Sequence, residues 1–140
     1  MLKTIDPLLV PQLLAWLAEM GHGDVLAVVD RNFPAHSCGR RVVELPGTDV
    51  TQVLRAALTL LPVDAYQDPA AWHMLQDDGT EGPAAGEMRT LLDESEQRGV
   101  GFGAVRRTDF YGLAREAYCV VRTSDNRPYA CFLIAKGVVA

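Results

Sequence analysis

The stretch Met20-Gly21-His22-Gly23-Asp24 sets a histidine between two glycines, and an apolar run, Val25-Leu26-Ala27-Val28-Val29, leads from it to Asp30. Imidazole is the side chain that gives and takes a proton near neutral pH. Glycine on each side leaves the ring open to a ligand and lets the backbone turn sharply. A carboxylate at the end of a buried strand can accept hydrogen bonds from hydroxyl groups. Each residue also has an ordinary structural role. A helix-end histidine is favoured beside the C-terminal dipole, and an aspartate can cap the loop that follows it. Spacing alone leaves both readings open for His22 and Asp30.

Arg107, Tyr111 and Tyr129 fall at strand ends or at a helix start. With His22 and Asp30 they would make a pocket of hydroxyl-binding groups, the tyrosine rings covering the apolar face of a sugar. Other chemistries find less support. His22, His36 and His73 have no local spacing that supplies the three or four convergent ligands of a metal site. Ser37, Ser95 and Ser124 lack the Gly-x-Ser-x-Gly elbow of a serine hydrolase. Gly99-Val100-Gly101-Phe102-Gly103 is not followed by the strand–helix unit of a nucleotide loop. The three cysteines, Cys38, Cys119 and Cys131, are odd in number and form no Cys-x-x-Cys pair, which argues against a disulfide framework and fits a reducing cytoplasm. The expectation is chemistry without a metal or cofactor.

The elements that must hold these residues follow from pattern. A chain of 140 residues, 49% apolar, is expected to form one domain over 1–140. Its net charge of −5 argues against a nucleic-acid partner, and no apolar run reaches the length of about 18 residues that a membrane span needs. Met1 to Asp6 does not read as a secretory signal. Asp6-Pro7 is expected to open a helix with Leu9, Leu13, Leu14, Leu17 and Met20 on its inner face, stopped by Gly21. Residues 24–30 read as a buried strand and 31–40 as a loop at its carboxyl end, where open α/β sheets place ligands. Further strands are expected at 41–45, 63–66, 72–75, 104–107, 118–122 and 129–136. Helices are expected after Asp49 or Thr51, over 86–98 and over 110–117. The last two strands, joined by the polar turn Thr123 to Pro128, look like a hairpin and so predict a mixed sheet. The fold class is α/β: one three-layer domain with a mixed sheet flanked by helices.

At this point the chain resembles a known family. Met20-Gly-His-Gly-Asp24, Asp30 and Asn32-Phe-Pro-Ala-His-Ser37 are similar to the RbsD/FucU sugar mutarotases, which include L-fucose mutarotase and D-ribose pyranase. The likeness continues through Leu61-Pro-Val-Asp-Ala-Tyr66, Phe110-Tyr111, Pro128-Tyr129 and Lys136-Gly137-Val138, and it leans to the fucose branch. It implies conversion between the α and β anomers of a free monosaccharide, L-fucose foremost, by ring opening and closing. It implies His22 as proton donor and Asp30, Arg107, Tyr111, Tyr129 and the position of Cys131 as sugar-binding groups, with Asp64 in a matching place. It implies sugar sites near subunit contacts and ring-shaped homo-oligomers, decamers among them. The chain departs from the pattern at Cys131, where the family usually has asparagine: an amide that donates and accepts becomes a weak thiol donor. A protein that kept the pocket but lost turnover, binding sugar in a regulatory role, is the alternative.

Overall fold

The computed structural model describes residues 1–140. The elements run α1 (Pro11–Glu19), β1 (Val25–Val29), α2 (Ala35–Cys38), β2 (Val42–Leu45), α3 (Val50–Leu58), β3 (Ala71–Met74), α4 (Ala85–Glu96), β4 (Phe102–Val105), α5 (Arg107–Glu116), β5 (Cys119–Thr123) and β6 (Phe132–Ala135). The strands form one sheet in the order β2-β5-β1-β6-β3-β4. All strands but β6 point the same way: β5 pairs parallel with β1 and β2, β3 pairs parallel with β4, and β6 runs antiparallel between β1 and β3.

Alternation along the strands builds a core on each face. In β1, Leu26 and Val28 face α1, α3 and α4, where they join Leu13, Leu17, Leu54, Met88 and Leu92. Ala27 and Val29 face α2 and α5 with Phe33, Phe110 and Ala114. Both faces of the central strands are covered, so β1 and β6 read as continuous apolar runs. The fold is therefore the expected three-layer α/β arrangement with a mixed sheet.

Several local expectations are corrected. The last two strands are not a hairpin. Strand β1 lies between β5 and β6, and residues 124–131 cross over its end to put β6 on the far side. The sheet is mixed because β6 inserts antiparallel between β1 and β3. Asp6-Pro7 opens a turn and not a helix: Asp6 accepts from the Leu8 N–H at 2.9 Å, and α1 begins at Pro11 behind Val10. The helix ends in an extended Met20, and the Gly21 N–H is held by the Asp24 carboxylate at 2.8 Å. The predicted break at 99–103 is in part strand β4. Its glycines serve close packing: a Cβ on Gly103 would sit 2.7 Å from Trp72 Cδ1, and one on Gly101 would sit 1.7 Å from Asp68 Oδ1. Helix α5 starts three residues earlier than predicted, at Arg107. Of the predicted strand at 63–66, only a single bridge remains, between Val63 and Lys136.

Candidate functional site

With five strands parallel, the ends of β1, β3 and β4 reach one edge of the sheet, and the start of β6 meets them there. Asp30 is the first residue beyond β1 and is 7% exposed. One of its oxygens accepts the Asn32 N–H at 2.9 Å, and the other takes the Cys131 thiol at 3.5 Å. Burial pushes its pKa up; the hydrogen bonds from Asn32 and Cys131 oppose this without cancelling it. Burial likewise holds the Cys131 thiol well above its usual range, so the sulfur stays protonated and donates.

Arg107 and Tyr111 share one face of α5 because residues four apart stack along a helix. The guanidinium Nη1 donates to the Tyr111 hydroxyl at 3.5 Å, and Nε donates to Asp77 at 3.0 Å. These partners raise the guanidinium pKa further, so it is charged at any working pH. The Tyr111 ring leans on Phe33, with centroids 5.5 Å apart. Tyr129 stands just before β6 with φ +59°, a left-handed backbone that a non-glycine residue adopts only under constraint. That turn brings Tyr129, Pro128 and Cys131 to the same cavity, and Met74 closes it from the end of β3. The cavity is about 200 Å³, small beside the ~300–1,000 Å³ of drug-sized pockets. A wider groove between α3 and α4 brings together only Arg55 and Glu94 among ionisable groups.

Five of the residues singled out from sequence thus meet in one pocket: Asp30, Arg107, Tyr111, Tyr129 and Cys131. His22 and Asp64 do not. His22 precedes β1 and Asp30 follows it, so the extended chain holds them roughly 20 Å apart. At its own end of the sheet, His22 Nε2 lies 2.9 Å from Asp64 Oδ1, with the imidazole 45% exposed and the carboxylate 2% exposed. Asp64 also accepts the Tyr66 N–H at 3.0 Å and the Gln67 amide at 2.6 Å. Burial pushes its pKa up, but these donors outweigh burial and hold it below the ordinary carboxylate value. The Tyr66 ring meets His22 edge-on at 5.4 Å. Asp64 therefore faces the histidine and not the cavity that holds Asp30.

Asn32, Phe33, Met74 and Pro128 line the pocket without having been singled out as site residues. Asn32 and Phe33 directly follow Asp30, so their place was readable from the strand end. Met74 carried no such signal, because it depends on β3 lying two strands from β1. No three His, Cys, Asp or Glu side chains converge as a metal cluster, and no helix is long and apolar enough to cross a membrane.

Fold and pocket together define an α/β protein with a small cavity of mixed polar and apolar lining at the carboxyl ends of its parallel strands, the place where such sheets hold small-molecule ligands. The chain belongs to the RbsD / FucU transport protein family, whose sequence profile it matches over residues 3–139. It is similar to the fucose mutarotase of Streptococcus pneumoniae, solved in complex with L-fucose. The two are 32% identical, with a TM-score of 0.92 over 99% of this chain and 100% of that one. It is also similar to FucU from Bifidobacterium longum, at 38% identity and a TM-score of 0.92 over 99% of this chain and 100% of that one. Its fold is shared by RbsD of Bacillus subtilis, solved with D-ribose, at 18% identity and a TM-score of 0.75 over the full length of both chains.

Proposed function

We propose that this protein is a cytoplasmic monosaccharide mutarotase that interconverts the α and β anomers of a free reducing sugar, with L-fucose as its substrate. The observation that carries the reading is the cavity itself. A buried carboxylate, a permanently charged guanidinium and two tyrosines surround a space of about 200 Å³ beside apolar Phe33 and Met74. Hydroxyls on a sugar find an acceptor in Asp30 and donors in Arg107, while its C–H face finds an aromatic ring. The solved L-fucose complex of a relative matched over its whole length supports the choice of sugar.

The reaction asks little of the protein. A proton goes to the ring oxygen as the C1–O bond breaks, and the anomeric hydroxyl gives one up as the carbonyl forms. C1 then rotates, and closing reverses both transfers. General acid–base help of this kind contributes typically 10²–10⁴-fold. Asp30, Arg107 and the tyrosines hold the sugar while C1 turns, and His22 supplies the proton. Since His22 lies at the opposite end of β1, the site is completed between copies. The exposed imidazole of one protomer reaches the Asp30 cavity of the next in a ring-shaped homo-oligomer.

Saturation-transfer NMR on equilibrated L-fucose reads anomer exchange directly. The wild type is expected to exceed buffer, and His22→Ala to fall by roughly 10²-fold or more. Exchange no faster than buffer in the wild type overturns the enzymatic reading. One observation favours a second reading, a sugar-binding protein without turnover. The Cys131 thiol is committed to Asp30 at 3.5 Å and offers the sugar no good donor. Sugar binding without exchange supports it.

A further inference from the structure

The ending Lys136-Gly137 and the segment Val63-Asp64 stood out in the sequence, yet neither touches the sugar cavity. Both are explained by what they do to His22. Lys136 bridges two segments at the amino end of β1. Its carbonyl accepts the Gly23 N–H at 2.8 Å, its N–H donates to the Asp24 carbonyl at 2.8 Å, and its ammonium donates to the carbonyls of Leu17 and Met20. The turn that carries His22 is thereby tied to the end of β6. The next residue, Gly137, lies against the other segment. Its N–H donates to the Pro62 carbonyl at 2.8 Å, and a Cβ there would come within 2.9 Å of both the Asp64 Cα and the Val63 carbonyl. The Asp64 N–H donates to the Ala135 carbonyl at 3.0 Å, and the Arg98 guanidinium reaches the Asp64 carbonyl at 3.1 Å. Imidazole and carboxylate are set against each other by one stretch of backbone.

We propose that Asp64 is a positioning residue that fixes His22 as its Nε2–H tautomer, so that Nδ1 is the nitrogen that passes the proton to and from the sugar. The proposal rests on the reading of His22 as the acid–base group. An ionised carboxylate can only accept, so Nε2, at 2.9 Å from Asp64 Oδ1, must be the donor in that contact. The hydrogen bond made by one ring nitrogen decides the state of the other. Asp64 is itself steadied by Gln67 and by the Tyr66 N–H, and the Tyr66 ring limits rotation of the imidazole. In the forward step, Nδ1–H of the imidazolium protonates the ring oxygen as the C1–O bond breaks and a water takes the anomeric hydroxyl's proton as the carbonyl forms, leaving neutral imidazole with its proton on Nε2. Closure returns the proton to Nδ1. The charged groups packed around this pair are Asp24, which holds the Gly21 N–H, Glu96, which accepts the Val63 N–H, and Arg98 and Lys136, which bind backbone carbonyls.

Nitrogen-15 NMR of the imidazoles tests this without sugar, the His22 signals being assigned by their loss in His22→Gln. At about pH 8, above the ordinary imidazole range, the wild type is expected to show Nε2 protonated and Nδ1 bare. Asp64→Ala is expected to give a mixture of tautomers. Gly137→Ala, which leaves both side chains in place and pushes Asp64 aside, is expected to shift the mixture the same way. In the exchange assay Asp64→Asn is expected to lower kcat by roughly 10–100-fold, no more than His22→Ala does, with KM changed less than about twofold. The double variant His22→Ala/Asp64→Asn is expected to be no slower than His22→Ala. A wild-type His22 protonated on Nδ1 overturns the proposal, as does a tautomer indifferent to Asp64, or additive losses in the double variant. If the wild type exchanges no sugar, the mutarotase reading fails, and the NMR measurement still decides the pairing. If Asp64→Ala does not fold, Gly137→Ala carries the comparison.

Discussion

Asp30 carries a conflict that can be measured. It is buried against a cavity of about 200 Å³, and burial raises its pKa above the ordinary 3.8. A carboxyl whose folded pKa is raised stabilises the protein when protonated, and that contribution is lost as pH rises through the raised pKa. At neutral pH the ionised form is held at a cost, and in the proposed site that cost serves the sugar hydroxyl Asp30 would accept. Asp30→Asn is therefore expected to raise Tm by roughly 3 °C and to abolish anomer exchange. A lowered Tm with exchange intact contradicts both roles. Exchange in the wild type is also expected to fall on acidification through a midpoint above 3.8. Cys131 offers a complementary test, because its thiol donates to Asp30 where an asparagine amide would both donate and accept. Cys131→Asn is expected to tighten the binding of a fully hydroxylated aldose by about 0.5–1.5 kcal/mol, the worth of one hydrogen bond, read as Kd by titration across a panel of sugars. Of the five residues that meet in the pocket, Asp30, Arg107, Tyr111 and Tyr129 could be picked from side-chain type and position at strand ends or a helix start, whereas Cys131 was marked only by the family resemblance. Asp64 shows the limit. Its place in a motif suggested sugar contact, but its partners turn it towards His22.

At the scale of elements, residues 124–131 do most to form the pocket. They cross the end of β1 and deliver Tyr129 and Cys131 to the cavity. The crossing is pinned by Asp125, 4% exposed. Its carboxylate accepts from the Val50 N–H at 3.0 Å and from Arg127 Nη2 at 2.8 Å, and its carbonyl accepts the Arg31 N–H at 3.2 Å. Arg127 goes on to Glu87 and Thr51, so α3, α4 and the crossing meet at one guanidinium. Burial pushes the Asp125 pKa up, but Arg127 and the backbone donors outweigh it and hold the carboxylate below its usual range. Its stabilisation is present above the unfolded pKa of about 3.9 and is lost as pH falls through the lower folded value. Asp125→Ala is expected to cost roughly 2–3 kcal/mol in urea unfolding at neutral pH, below the figure for a fully buried pair because Arg127 keeps Glu87 and part of its hydration. It is expected to slow anomer exchange as well, since Tyr129 loses the support for its left-handed turn. The same segment misled the sequence reading. Two apolar strands joined by a short polar turn satisfy the pattern of a hairpin, and nothing local says that a third strand will take the place between them.

For the whole molecule, the consequence is that one chain holds the proposed sugar pocket at one end of β1 and the proposed acid–base pair at the other. Neither end is sufficient for the proposed reaction. A mixture of His22→Ala and Asp30→Asn subunits, each inactive alone, is expected to recover activity when co-assembled. Random pairing at equal ratio leaves roughly a quarter of the inter-copy sites with both native residues. Recovery of a quarter of wild-type exchange, together with a ring-sized particle by light scattering, supports the shared site. An active monomer or a mixture as dead as its parts argues that His22 acts elsewhere.

Much of this protein was decided by local rules that act along the chain. Apolar runs and helical spacing determined an α/β class with a buried central strand. Histidine between glycines and a carboxylate at the strand end marked where chemistry could reside. Those signals are short-range, set by side-chain type, by periods of 2 and 3.6 residues and by the conformational freedom of glycine. Only the tertiary structure decided which of them belong together. Strand order placed β6 between β1 and β3, turned Asp64 to the histidine, and gathered Asp30, Arg107, Tyr111, Tyr129 and Cys131 at one edge. The physical reason is that pairing between distant strands is chosen by how the whole apolar surface packs. A straight strand of fixed rise then keeps its two ends apart, however close their motifs stand in the sequence.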